Sequence, residues 1–348
     1  MKKIYTLTIL SVVLNTILQA QNIFNVTKVS DPDPFDHPYN YIDALCDTAM
    51  YGTLQWAIRK TNDAPPPSEI RFNIQGTGHH IINLGFTLPP INKQVAIDGS
   101  TQPGYNYSNG PSIIIDGTNI PIYNHCFNFT ANADSSSVTG IHIRNFWASN
   151  GIMIFTGNIK IKDCMVWNSG GQETGYPWRD MGIYIAGPNA IIQGNIIGTD
   201  LTGTQNYNCT GGAVYVQKQW LPADNCLIGG SGLHESNLIA FNGWPGITID
   251  NAKYNKITRN RIYNNGGGIN LILSAGPTSW GNEGKPTPVI DTLTSTGILS
   301  GTAQPNDIIE IFGSSGVQNA NEYVTTTTAD GFGNWTVVMS SFDQHYFI

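Results

Sequence analysis

The chain has 348 residues and a formal net charge of −7, and only 12% of its residues are charged, against about 25% in an average globular domain. Lysine and arginine are few and do not cluster, which excludes a nucleic-acid partner because phosphate binding needs a concentrated basic patch. The abundance of Gly, Asn, Thr and Ile, together with the scarcity of helix-forming residues, predicts an all-β protein.

The first twenty residues have the pattern of a signal peptide. Lys2 and Lys3 precede an apolar run, and a small-residue cleavage site ends at Ala20. The run is shorter than the roughly twenty apolar residues that a membrane-spanning helix needs. We therefore expect residues 1–20 to be cleaved, residues 21–40 to form a leader segment, and the mature chain to be secreted without a transmembrane segment.

One helix is predicted near the start of the mature chain. Thr53 is a good N-cap residue, and Leu54, Ala57 and Ile58 share one face of a helix that extends to Lys60. The open end of a repeat array exposes core side chains and unpaired strand edges. We expect this helix to cover the N-terminal end of the repeats that follow.

Short repeats then decide the fold. A small residue followed by an apolar-x-apolar triplet occurs at Gly151–Ile154, Gly182–Ile185, Ala213–Val216, Gly246–Ile249 and Gly268–Leu271. The starts of these motifs are 31, 31, 33 and 22 residues apart. A second motif, in which asparagine precedes an apolar residue by two positions, occurs between them at Asn189, Asn195, Asn255 and Asn260.

The repeat motifs predict a stack of small triangular coils. An apolar-x-apolar triplet in a strand directs both apolar side chains to one face. Three such strands per minimal coil, stacked about 4.8 Å apart, bury the isoleucine columns as one continuous core. Asparagine and glycine suit the corners, and longer coils carry inserted loops, where function usually lies. The predicted main body is a right-handed parallel β-helix, a solenoid of about nine coils over residues 41–280.

A different pattern follows a Gly- and Pro-rich linker at residues 281–290. Apolar and Thr-rich runs separated by turn residues predict roughly four or five antiparallel strands over residues 291–348. That number is smaller than the seven strands of a complete immunoglobulin sandwich. We expect a small, incomplete Ig-like β-domain.

The five cysteines are widely spaced, at Cys46, Cys126, Cys164, Cys209 and Cys226. No Cys-x-x-Cys pair is present, so neither a zinc site nor a disulfide framework is indicated. We expect them to be small buried core residues. His79 and His80 are interpreted as a strand end, and no cofactor or metal is predicted from these residues.

Several segments resemble signatures of a known family: Thr53–Ile58, Ile97–Tyr105, Ile197–Thr204 and Ile228–Gly232. Together they resemble bacterial secreted right-handed parallel β-helix repeat proteins of the pectate-lyase-like fold. The segments Gly301–Asn306 and Gly333–Trp335 resemble the Ig-like modules that often follow such helices. The resemblance implies an extracellular protein associated with the cell surface.

The resemblance does not settle the activity. The wider fold includes polysaccharide lyases, hydrolases and adhesins, and a fold does not determine a function. Its lyases use calcium-binding carboxylates with an Arg or Lys base, and its pectin hydrolases use clustered aspartates. This sequence has no clear copy of either set, so the resemblance assigns no catalytic residue.

The middle residues of the triplets are predicted to point outward as a column: Met153, Tyr184, Tyr215, Thr248 and Asn270. Inserted loops near this column contain further aromatic and charged residues: Trp178, Arg179, Asp180, Lys218, Trp220 and Trp244. Exposed aromatic faces beside polar groups suit sugar rings, so the two tyrosines and these loop residues form a hypothetical carbohydrate-binding groove. The alternative is that Tyr184 and Tyr215 stack only to stabilise the sheet, while the tryptophans cover core.

The sequence favours a carbohydrate-binding or adhesive protein whose partner is a polysaccharide or a cell-surface glycan. One alternative is a lyase or glycoside hydrolase acting on uronic-acid polymers. In that case Arg179 or Lys218 would be the base, and Asp180 or Asp250 would bind calcium. A second alternative is a structural stalk.

The remaining charged residues are interpreted as solvated surface. Asp163 follows Lys160 and Lys162, and Arg259 and Arg261 are two positions apart. Alternating charges of this kind are typical of an exposed strand face. No binding role is predicted for them.

Overall fold

The computed structural model describes residues 22–31, 50–171, 181–219, 221–272, 280–314, 320–339 and 346–347. Several sequence predictions fall outside these ranges: the signal peptide, Cys46, Trp178, Arg179, Asp180 and Trp220. Within them, no helix is long and apolar enough to cross a membrane.

Three parallel sheets form the main body, and each is named here by its strands. Sheet A contains β1 Asn22–Val26, β3 Ser68–Phe72, β5 Val95–Asp98, β8 Ser137–Thr139, β11 Lys160–Lys162, β14 Ile191–Gln193, β17 Leu227–Gly229 and β20 Lys256–Thr258. Sheet B contains β2 Ser30–Asp31, β4 His80–Leu84, β6 Ile113–Asp116, β9 Ile141–Arg144, β12 Met165–Trp167, β15 Ile196–Ile197, β18 Leu238–Ala240 and β21 Arg261–Tyr263. Sheet C contains β7 Phe127–Phe129, β10 Ile152–Ile154, β13 Ile183–Ile185, β16 Val214–Gln217, β19 Pro245–Asp250 and β22 Gly267–Ile272.

From the third coil onward the chain visits sheets A, B and C in turn, so the predicted fold class is confirmed. Each strand pairs in parallel with the equivalent strand of the next coil, and Ile152, Ile183, Val214, Ile247 and Ile269 follow one another in register. Sheets A and B each contain eight strands, which gives eight coils in the described part of the chain. Parallel crossover connections adopt a right-handed winding. The sheets already begin at β1, upstream of the predicted residue 41.

The corners of the coils are held by buried asparagine ladders. Between sheets A and B, the backbone N–H of Asn195 donates to Asn237 Oδ1 at 2.9 Å, and that of Asn237 donates to Asn260 Oδ1 at 3.2 Å. The side-chain amide of Asn195 also donates to Ile161 O, in the preceding coil, at 2.9 Å. These ladders satisfy corner backbone groups that no sheet can pair.

A buried cysteine begins the ladder at each of the three corners. The backbone N–H groups of Cys164, Cys209 and Cys226 donate to the first ladder asparagine at 3.0, 3.1 and 2.8 Å. The thiol of Cys164 lies 3.8 Å from Val138 O. In the next coil, the side-chain amide of Asn195 occupies the equivalent position and donates to Ile161 O. These thiols are free and buried, as predicted.

The predicted helix is α1, Leu54–Asp63, and it covers the N-terminal end of the core. Thr53 Oγ1 accepts the backbone N–H of Trp56 at 3.1 Å, which confirms the N-cap. Leu54, Ala57 and Ile58 are completely buried, and the helix packs against β1 and β3.

The C-terminal region forms two small antiparallel sheets. One contains β23 Val289–Leu293, β24 Ile298–Thr302 and β27 Asn334–Val338, and the other contains β25 Ile308–Gly313, β26 Glu322–Thr328 and β28 Tyr346–Phe347. Leu299, Ile309, Ile311 and Trp335 lie in its core. We call this region the antiparallel domain, and it has six described strands where four or five were predicted.

The antiparallel domain docks on the last coil. Ile262 of β21 forms an antiparallel bridge with Ala320, with backbone hydrogen bonds of 2.8 and 2.6 Å. The Glu310 carboxylate accepts the backbone N–H of Arg259 at 2.9 Å and the hydroxyl of Thr258. The domain therefore forms hydrogen bonds with polar groups of the last strands of sheets A and B that would otherwise be unpaired.

Candidate functional site

The outer face of sheet B forms the floor of a cleft. Side chains in a strand alternate between faces, so Val166 and Ile197 enter the core. Their neighbours point outward and are aligned by the register of the sheet as a column along the helix axis: Ile114, His142, Met165, Ile196, Leu238 and Arg261. The last four of these residues line the cleft, and three of the four are aliphatic.

One wall and part of the roof come from a long loop, residues 99–112, which we call the strap. Its start is fixed on the second coil, because Gln102 exchanges hydrogen bonds of 2.9 and 2.8 Å with the backbone of Ile74. Asn106 Oδ1 accepts the backbone N–H of Ser108 at 2.9 Å and shapes the turn that carries Tyr107. The strap then crosses the outside of sheet B along the helix axis.

The other walls are loops of the sixth and seventh coils. In residues 198–213, Asp200 accepts backbone N–H groups of Thr204 and Gln205 at 2.9 and 3.1 Å. Desolvation raises the pKa of Asp200, but hydrogen bonds from Thr202, Thr204 and Gln205 outweigh it and lower the pKa to about 2. In residues 230–237, Glu235 accepts the backbone N–H of Gly232 at 2.7 Å. Both loops are thus fixed by internal carboxylate hydrogen bonds.

The strap touches both of the other loops. The rings of Tyr107 and His234 have centroids 3.8 Å apart. Gly110 approaches so closely that a Cβ atom there would lie 3.2 Å from both Leu201 and Met165. The cleft between them is half open to solvent and has a volume of about 400 Å³. This volume falls within the range of small-ligand sites, about 300–1,000 Å³.

The cleft holds one carboxylate among neutral phenols. Desolvation raises the pKa of Asp163, although Lys162 and His234 act in the opposite direction, and the Oδ1 atom of Asp163 has no hydrogen-bond partner. Desolvation, followed by repulsion from Asp163, raises the pKa of Tyr105 to about 12 and also raises the pKa of Tyr107. Both tyrosines therefore remain neutral and present rings and hydroxyl groups to the cleft.

Gly194 is required for the polar wall. A Cβ atom at this position would lie 2.3 Å from Asp163 Oδ1 and 2.5 Å from His234 O. Its backbone φ of +69° is also a left-handed conformation that favours glycine. Asp163 and His234 can approach each other only because no side chain stands between them.

An aliphatic floor, two phenol rings and a few polar groups suit a ligand that has both apolar and hydroxylated surfaces. Ser108, Asp163, His234 and Ser236 line its polar side and carry side-chain hydrogen-bonding groups. Within the described ranges, no group of three His, Cys, Asp or Glu side chains is arranged to hold a metal ion.

The outward column predicted on sheet C has the predicted neighbours. Tyr184 pairs with Met153 and Tyr215, and Tyr215 pairs with Thr248. The two tyrosine rings stack with centroids 5.9 Å apart and planes inclined by 7°. The expected exposure is not observed, because Tyr184 and Tyr215 are only 2% and 3% exposed.

The hydroxyl groups of this tyrosine pair are used within the fold. Tyr184 Oη donates to Gln217 Oε1 at 2.6 Å, and Tyr215 Oη donates to Asp250 Oδ2 at 2.7 Å. Gln217 Nε2 donates to the same Asp250 oxygen at 2.8 Å. Asp250, expected as a calcium ligand in the lyase alternative, is completely buried in this network. The pair thus has the stacked arrangement of the stabilising alternative.

The described loop residues of the predicted groove lie at opposite ends of sheet C. Lys218 directly follows β16, and its backbone N–H donates to Asp250 O at 3.1 Å. Trp244, which is 38% exposed, directly precedes β19. The register places the two residues seven positions apart along the strand direction, or about 23 Å at roughly 3.3 Å per residue. The structure does not bring them together.

The sequence did not reveal which residues line the cleft. Asp163 and Arg261 were expected on a solvated face; Arg261 is exposed and Asp163 is half-buried, and both also line the cleft. Arg261 Nε also donates to Asn321 O at 2.8 Å, and Arg259 lies over the ring of Tyr323 at 3.9 Å. The sequence did contain a feature that marks these loops. Each of the three loops around the cleft overlaps a segment that carried the family resemblance: Ile97–Tyr105, Ile197–Thr204 and Ile228–Gly232.

Comparisons with known proteins add little to this description. No protein-family model matches the chain, and no curated protein matches it. Among solved structures, the Dettilon tailspike protein (gp208) is 12% identical, with 93% of each chain covered and a TM-score of 0.15. A TM-score this low supports no argument, so the fold and the site rest on the strands and the cleft themselves.

Proposed function

We propose that this chain is a carbohydrate-binding protein and that its cleft over sheet B holds a saccharide unit. The observation that carries the proposal is the convergence of Tyr105, Tyr107 and Asp163 over the aliphatic floor. Sugar rings have apolar C–H faces, which pack on aromatic and aliphatic side chains, and hydroxyl groups, which need polar partners. The cleft offers both kinds of surface side by side.

We further propose that the protein acts outside the cell, on a polysaccharide or a cell-surface glycan. The signal-peptide pattern of residues 1–20 and the resemblance to secreted β-helix repeat proteins support this location. N-terminal sequencing of the protein recovered from the culture medium tests it, and we expect a mature chain that begins at Gln21. Retention of the intact N-terminus inside the cell contradicts it.

A glycan array with three variants tests the binding site. Tyr107→Ala removes a ring of the cleft, and Asp163→Asn removes its charge while keeping its shape. Tyr254→Ala is the matched control, because Tyr254 is a 68% exposed tyrosine outside the cleft. We expect Tyr107→Ala to weaken glycan binding by about tenfold and the control to bind like the wild type. An array without any bound glycan, or equal losses in the control, overturns the proposal.

The groove predicted on sheet C is tested alongside the cleft, although its two tyrosines are buried and Lys218 and Trp244 lie at opposite ends of the sheet. Replacing Tyr184 or Tyr215 would damage buried packing, so Lys218→Ala and Trp244→Ala are the better test. Both positions have exposed surface. Loss of binding in these two variants, with Tyr107→Ala unaffected, assigns the glycan to sheet C instead of the cleft.

A further inference from the structure

Most of the floor of the cleft offers aliphatic surface without hydrogen-bonding groups, and the guanidinium group of Arg261 lies at one end of it. Met165, Ile196 and Leu238 follow one another on adjacent strands of sheet B, and Leu201 joins them from the wall. None of these side chains carries a hydrogen-bond donor or a strong acceptor. A ligand group that rests on these four side chains therefore meets only carbon and sulfur atoms.

Two polar residues that also line the cleft are used by the corner ladder. Asn195 Nδ2 donates to Ile161 O at 2.9 Å, and Asn195 Oδ1 accepts the backbone N–H of Cys164 at 3.0 Å. Asn195 and Cys164 are completely buried. Their polar atoms form hydrogen bonds between coils. They are therefore not available to form a hydrogen bond with a ligand hydroxyl group at the floor.

The polar groups of the cleft lie on one side of the floor. Asp163 follows β11, and His234 and Ser236 precede β18, so all three belong to the corner between sheets A and B. Ser108 adds a hydroxyl group from the strap. A bound sugar can therefore direct hydroxyl groups to this corner, to the phenols of Tyr105 and Tyr107 and to Arg261, and it directs an apolar group to the aliphatic part of the floor.

Resting on the proposed function, we infer that the cleft selects saccharides that carry a methyl group. A hydroxymethyl group placed on the floor loses its hydrogen bonds to water without replacement. A methyl group in the same place gains free energy by leaving water. Such a difference of one group in an apolar site changes affinity by about tenfold or more. Two sugar classes supply the methyl group: 6-deoxyhexoses and N-acetylated amino sugars.

Matched pairs of free monosaccharides, titrated against the full chain by isothermal calorimetry, test the inference. The 6-deoxy arm compares L-fucose with L-galactose and L-rhamnose with L-mannose. The acetyl arm compares N-acetylglucosamine with glucosamine and with glucose. We expect at least one arm to show about tenfold tighter binding of the methyl-bearing member, and the arm that does so identifies the source of the methyl group.

The other outcomes separate the inference from the proposed function. Equal affinity within every pair overturns the methyl preference while saccharide binding stands. Absence of binding to every sugar in the panel and to the array overturns the proposed function, and this inference with it.

Two variants of apolar cleft residues, here called the floor variants, and one control test whether the apolar surface causes the preference for methyl-bearing sugars. Ile196→Thr keeps the β-branched shape and adds a hydroxyl group, and Leu201→Ser shortens the wall. Leu221→Ser is the matched control, since Leu221 and Leu201 are 42% and 43% exposed and only Leu201 lines the cleft. We expect the preference for the methyl-bearing sugar to fall below about threefold in the two floor variants and to persist in the control. Full preference in both floor variants overturns the inference.

Discussion

The phenol ring of Tyr107 lies against the imidazole ring of His234, with centroids 3.8 Å apart and planes inclined by 45°. Tyr107 belongs to the strap, which leaves the third coil, whereas His234 belongs to a loop of the seventh coil. Four coils at about 4.8 Å correspond to roughly 19 Å along the helix axis. This contact therefore closes the strap over a large part of sheet B.

His234→Ala is expected to release the strap and weaken saccharide binding by about fivefold, mainly through faster dissociation. The thermal midpoint of unfolding should change little, because the pair lies outside the core. Surface plasmon resonance measures both rate constants. His234→Phe is the matched variant, which keeps a ring against Tyr107 without a ring nitrogen. Equal losses in both variants would show that a hydrogen bond from the imidazole matters and not the ring contact.

Gly194→Ala is expected to abolish saccharide binding and to lower the free energy of unfolding by about 3 kcal/mol. A Cβ atom collides with Asp163 and His234, and the left-handed backbone adds strain. Gly104→Ala is the matched control, because Gly104 has a φ of +83° and nothing within 4 Å of its Cβ position. The control should lose only about 1 kcal/mol in chemical denaturation. Similar losses in both variants would contradict the role assigned to Gly194.

The buried carboxyl of Asp31 is expected to make stability depend on pH. Desolvation raises the pKa of Asp31 from 3.8 to about 7, despite hydrogen bonds from Gln55 and Thr53. Between about pH 4 and pH 7 the unfolded chain loses this proton while the folded chain keeps it. Stability therefore falls as pH rises through this window, by up to about 4 kcal/mol, and is level above it.

Thermal unfolding of Asp31→Asn across pH 4 to 8 checks this dependence. The stability of this variant should fall much less as pH rises, because asparagine stays neutral throughout this range. Asp63→Asn, at the exposed end of α1, is the control and should keep the decline. An unchanged profile in Asp31→Asn means that other groups produce the pH dependence.

Asn237→Ala is expected to lower the free energy of unfolding by about 3 kcal/mol. Asn237 Oδ1 accepts the backbone N–H of Asn195, and its amide donates to Ile192 O at 2.8 Å, so its loss leaves buried groups unpaired. Asn132→Ala, at an exposed turn position, should change stability by less than about 0.5 kcal/mol. Urea denaturation compares the two variants, and equal small effects would mean that water replaces the ladder.

The parts of the fold that were predicted correctly depend on local or periodic signals. Thr53 caps α1 by accepting a hydrogen bond from the first turn of that helix. The triplet at Ile183–Ile185 repeats because successive coils share one geometry. The antiparallel strands near Ile308–Gly313 and Asn334–Val338 were recognised from alternation and turn residues. These signals require no knowledge of how distant loops run.

The candidate site depended on such knowledge and was therefore not predicted. The outward direction of Tyr184 follows from alternation, but its burial depends on what packs over sheet C. Likewise, Tyr107 meets His234 only because the strap crosses several coils. Residue types in the strap were visible in the sequence, whereas its path over sheet B was not.

The bridge between Ile262 and Ala320 gives the solenoid a defined length. A parallel ladder grows by adding one more strand to its last one, and an uncovered ladder can recruit a neighbouring molecule in the same way. With its terminal rungs in two sheets already engaged by the same polypeptide, the rod resists end-to-end polymerisation at this end. Removal of residues 289–348 would leave these rungs unpaired, and we expect the shortened chain to associate end to end.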